Sequence, residues 1–161
     1  MATPTALPST FVANTVLPAA DLNLLRGAFR VLQVVQSSYA IANTSVSGTY
    51  ADTGLTVTIT PQYNTSKILV ICSLTLFNNA ASTSGGLKLL RAATTLITNV
   101  GYGFSSGGSQ SADPTIITLD SPASTSALTY KLQFNRDAGA GTVIVFPNNN
   151  TATITVMEIS A

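Results

Sequence analysis

Along most of this chain, apolar and polar positions alternate one for one. In Leu55–Thr60, Leu55, Val57 and Ile59 fall on one side, and Thr56, Thr58 and Thr60 on the other. In Leu128–Asn135, Leu128, Tyr130, Leu132 and Phe134 alternate with Thr129, Lys131, Gln133 and Asn135. A period of two marks a strand with one buried face, and threonine suits the solvated side of a pleat. Within Lys67–Phe77 the even positions Ile68, Val70, Cys72, Leu74 and Leu76 are all apolar while the odd ones are mixed. That pattern predicts a central strand, largely covered on both faces. Further strands are expected near 31–38, 87–91, 94–100, 115–120, 142–147 and 152–159. Turn-forming segments such as "SGTYADTG", "TPQYNTS", "NNAASTSGG", "RDAGAG" and "PNNN" separate them. Many short strands divided this way predict a mainly β chain, an antiparallel sandwich of the jelly-roll type. No repeat of fixed period is visible, which disfavours a propeller or a solenoid.

The front of the chain breaks this pattern. Residues 1–30 read as an arm, and 31–161 as the β-sandwich. Pro18 can open a short helix, because its missing N–H would be unpaired there anyway. Leu22, Leu25 and Phe29 then share one helical face, with Leu24 beside it, and Gly27 ends or weakens the helix. So short a helix is marginal alone in water and needs a partner. Its own sandwich, another subunit or a larger particle could each serve. Residues before Pro8 are expected to be extended, since "TPTALP" resists helix.

Composition narrows the function classes. The 161 residues hold seven Lys and Arg and six Asp and Glu, for a net charge of +1. The basic residues are scattered rather than clustered, so nucleic acid is not an expected partner. A surface so poor in charge gives little protection against self-association, which points to a life spent assembled. No apolar run reaches the length of a membrane span, and the first residues have neither the basic nor the apolar region of a secretory signal. Cys72, the single cysteine, sits in "KILVICSLTLF" and reads as a buried small hydrophobe.

Little here does chemistry. There is no histidine, which removes the usual general base and the commonest metal ligand, and with a single cysteine zinc is not expected. The six acids show no calcium-loop spacing and no evident catalytic pairing. Asp52-Thr53-Gly54 matches the active-site triplet of aspartic proteases, yet an Asp-x-Gly turn entering a strand explains it as well. "GYGFSSGGSQ" lacks both dinucleotide and phosphate-loop spacing and reads as a loop. No catalytic residue, cofactor site or metal site is expected.

Several segments in order carry a resemblance: "FVANTVLPAADLN", "RVLQVVQSS", "YADTGLTVTITPQYNTSKILV", "GGLKLLR", "LDSPASTSALTYKLQF" and "TITVMEI". Over Phe11 to Ile159 the chain resembles a family of bacteriophage virion proteins. The resemblance implies a surface component of the particle, made in the host cytoplasm: a capsid decoration (cement) protein, or a head- or tail-fibre knob that recognises a host glycan. It also implies a homotrimer, with the major capsid protein as partner. The arm often has a Ser or Thr cap where this chain has Pro18, which shifts the helix start. One arm and one knob fit a decoration protein better than a long fibre. The arm residues expected to bind are Phe11, Val16, Leu17, Leu22 and Leu25.

Overall fold

The computed structural model describes residues 30–103 and 107–160. The expected arm and its helix therefore lie outside the described residues. Two four-stranded antiparallel sheets face each other. The front sheet has the order β1 (Val31–Tyr39), β12 (Ala152–Ile159), β4 (Lys67–Ser73) and β9 (Thr115–Asp120). The back sheet has the order β3 (Ala51–Ile59), β10 (Leu128–Ala138), β6 (Ser84–Arg91) and β7 (Thr94–Gly103). Successive long strands cross repeatedly from one sheet to the other, which is the wrapping of a jelly roll. A small sheet closes one end, ordered β2 (Asn43–Ser45), β11 (Val143–Val145), β5 (Leu76–Asn78) and β8 (Gln110–Ala112). Each of its strands continues a front-sheet strand in the same lateral order, so it is the bent-over end of that sheet.

The alternation does what the sequence predicts. Leu55, Val57, Ile59, Tyr130, Leu132 and Phe134 are buried from the back sheet, and Ile68, Val70, Cys72, Ile154 and Val156 from the front. Cys72 is wholly enclosed, and burial pushes its thiol up to about 12. Native protein should therefore resist thiol reagents until it unfolds, and Cys72→Ala should cost about 1 kcal/mol through a small cavity. Rapid labelling of the folded chain would show this placement to be wrong.

Three details differ from the expectation. The run 67–77 is two strands, because Leu74 N–H turns to Pro114 O (3.3 Å) and Thr75 O accepts from Phe146 N–H (3.0 Å). Its outer face is less covered than expected: Leu69 and Ile71 are only half-buried. Asp52-Thr53-Gly54 is not a turn but part of β3, which bulges there: Asp52 pairs with Gln133 and Thr56 with Lys131, leaving Thr53 to Leu55 opposite Leu132 alone.

Candidate interaction surface

The polar groups most able to do chemistry are occupied by structure. In the bulge, Thr53 Oγ1 donates to Leu132 O (2.9 Å) and accepts from Leu55 N–H (3.1 Å). Gly54 has φ +89, and a Cβ there would stand 2.6 Å from the Tyr39 ring. The triplet thus lets β3 bend around a tyrosine of the facing sheet. Asp52 points to solvent, where Gln133 Nε2 (2.7 Å) and Lys131 Nζ (3.0 Å) hold it. The hydrogen bond from Gln133, aided by Lys131, lowers its pKa against a smaller opposing effect of burial. Nothing in this arrangement pairs two carboxylates around one proton.

The two buried acids among the described residues are likewise satisfied. Asp120 turns inward from β9 and takes Tyr130 Oη (2.8 Å) and Arg91 (2.5 Å), tying the front sheet to the back one. Burial, then the bond to Asp120, push the Tyr130 phenol up. Glu158 is fully buried on β12 and accepts from Gln33 Nε2 (2.6 Å), Gln62 N–H (2.8 Å) and Tyr63 N–H (3.3 Å). Among the described residues, no three His, Cys, Asp or Glu side chains gather where they could hold a metal. No described helix is long and apolar enough to cross a membrane.

What distinguishes this molecule is the contrast between its two outer faces. On the back sheet the outward residues are mostly polar: Thr56, Thr58, Thr129, Lys131, Gln133 and Lys88, with Thr58 and Thr129 hydrogen-bonded at 2.9 Å. On the front sheet the pairing places Val34, Met157, Leu69 and Leu119 side by side, one from each strand. The next row is Gln36, Thr155, Ile71 and Ile117, and the row on the other side holds Val31, Ile159 and Lys67. Among the described residues seven large hydrophobic side chains stand exposed, and four of them share this face: Val31 (54%), Val34 (55%), Ile117 (60%) and Leu119 (51%). Scattered single hydrophobes are ordinary on a monomer, whereas a contiguous patch marks an interaction surface. Beyond the second row the face turns polar, with Ser38, Thr153, Ser73 and Thr115.

The sequence showed Ile117 and Leu119 but not their direction. In "TIITLD" either parity could face the core, and only the pairing with β4 settles it. Phe11, Val16, Leu17, Leu22 and Leu25, expected from the sequence to bind a partner, lie outside the described residues. So does the middle of the glycine-rich loop, 104–106.

No family model matches the chain, and no curated protein does. Among solved structures, the chain is similar to one from infectious bursal disease virus Gx strain, at 14% identity and a TM-score of 0.43. That match covers 80% of this chain and 37% of the other. Infectious bursal virus derived T=1 particles give 14% identity and a TM-score of 0.45, with 80% and 36% covered. Dimeric latent PorU from Porphyromonas gingivalis gives 11% and 0.39, with 83% and 14% covered. The chain spans well under half of each of these. Scores this low carry no argument, and the jelly roll rests on its own strand order.

Proposed function

We propose that this protein is a structural component of a bacteriophage particle, a capsid decoration protein that sits on the head as a homotrimer and bridges major capsid subunits. The observation that carries this reading is the pair of unlike outer faces, one polar and one apolar, on a sandwich whose buried acids are all engaged in its own structure. A polar face suits solvent, and an apolar face needs a protein neighbour. The sequence resemblance to phage virion proteins supports the same reading, and three linked contacts per trimer give durable attachment from modest individual ones. Attachment through apolar contacts also keeps its strength as ionic strength changes.

Copy number and position test it. Particles carrying the protein should show hundreds of copies over the head, and mass photometry of purified protein should give a trimer. A few copies confined to the tail would favour a receptor-binding knob for a host glycan instead. A stable monomer at micromolar concentration would count against the trimer.

A further inference from the structure

We propose that the apolar outer face of the front sheet seats residues 18–29 of a second copy of this chain, so that neighbouring copies exchange arms. The proposal rests on the trimeric reading above and names what holds the trimer together.

Size and chemistry of the two partners agree. Four strands at about 4.8 Å spacing make a face roughly 14–19 Å across. Residues 18–29 as a helix would be about 18 Å long. The stripe Leu22, Leu25 and Phe29 is apolar, as are Val34, Met157, Leu69, Leu119, Ile71 and Ile117 opposite it. Charge is complementary as well. The only charged side chain in the rows of this face is Lys67, at its apolar end beside Ile159. Among the described residues no ion pair engages it; the two present are Arg91–Asp120 and Lys131–Asp52. Asp21, one residue before Leu22, is the only acid in the arm.

The way the chain enters β1 selects a second copy over the chain's own face. Arg30 N–H donates to Ser160 Oγ (2.9 Å), and Arg30 O accepts from Ser160 N–H (2.9 Å). Val31 is paired with Ile159. The chain is therefore still in line with the sheet at Arg30. To lie on its own face it would have to reverse within residues 27–29, which would take Phe29 out of the apolar stripe. Reach does not limit the alternative: 29 residues ahead of Arg30 span up to about 96 Å when extended.

Cross-linking between separately labelled copies tests this. Leu22→Cys is made in one preparation of the full chain and Leu119→Cys in another, with buried Cys72 left in place. The two are mixed, allowed to exchange and treated with a short bismaleimide. Covalent dimers that require both variants are expected. No linkage in the mixture, or linkage only within single chains when both substitutions are placed in one chain, would overturn the exchange. Asp21→Lys should lower the dimer yield at least fivefold, and adding Lys67→Asp should restore it; a charge swap without rescue argues against the seat. Trimers that persist without any linkage between positions 22 and 119 would overturn arm exchange while leaving the trimeric decoration reading intact. A monomeric wild-type chain would remove both.

Discussion

Deleting residues 1–30 should leave the sandwich folded and reduce its attachment to particles by a hundredfold or more. β1 begins at Val31, and every described residue of the core lies beyond it. The deletion therefore removes none of the packing described above, and the melting temperature should shift by only a few degrees. The lost binding comes from side chains of the arm. Phe11, Val16, Leu17, Leu22 and Leu25 would each be worth about 1.5–3 kcal/mol if fully buried on a partner. Fixing the backbone of the arm offsets much of that, at roughly 1–2 kcal/mol per residue, so one arm makes only a modest contact. Arms that close a trimer link three capsid contacts, which raises the overall affinity by about 10²–10⁴ without any new contact. Leu22→Asp should weaken attachment in the same direction without unfolding the domain. Binding of the truncated chain at full strength would show that the arm is no anchor.

The largest single-residue effect on stability is expected at Glu158. Its carboxylate is fully buried and no described residue places a cation against it, yet its pKa is lowered. Burial is the strongest single influence and pushes the value up, but the Gln33 side chain, the nearby Ser66 hydroxyl and the N–H groups of Gln62 and Tyr63 together outweigh it. Glu158→Ala strands those donors, each at a cost of about 1–3 kcal/mol, so a total of about 3–5 kcal/mol is expected from chemical denaturation at neutral pH. The pH dependence follows from the sign. A depressed carboxyl adds stability above its unfolded value, near 4.5, and that stability fades as pH falls through the lower folded value. Wild-type protein should therefore lose stability below about pH 4.5 more steeply than Glu158→Gln does. Equal slopes for the two proteins would mean the carboxylate is not held as described.

How much of this was legible from sequence depends on the range of the interactions. The eight long strands follow from local alternation, and each forms at or close to its expected place. The three-residue strands "NTS" and "QSA" carry no such signal, because they pair only as extensions of the bent front sheet. Asp52-Thr53-Gly54 has every local mark of a turn, but pairing of β3 with β10 on both sides of it turns the same residues into a bulge. In "GGLKLLR" the glycines do not end the strand. A Cβ on Gly85 would stand 2.8 Å from Val143 Cγ1, so packing demands glycine inside β6. The interaction face was hidden for a related reason. β9 turns its acid inward, because Arg91 and Tyr130 receive Asp120, and this sends Ile117 and Leu119 out. Partners 29 and 10 residues away in sequence decide that choice, and local periodicity cannot.

The lateral order of the front sheet also sets a timetable. β12 follows every other described strand in sequence, yet it lies between β1 and β4, pairing with both. Until the ribosome releases it, β1 lacks its ladder partner among the described strands, which lies more than a hundred residues downstream. Contacts of such separation fold slowly, and a nascent chain keeps its apolar strands open to chaperones meanwhile. The face with Met157 at its middle is thus completed last. A chain that stops short of β12 cannot build it, so only copies that include this strand enter an assembly that uses it.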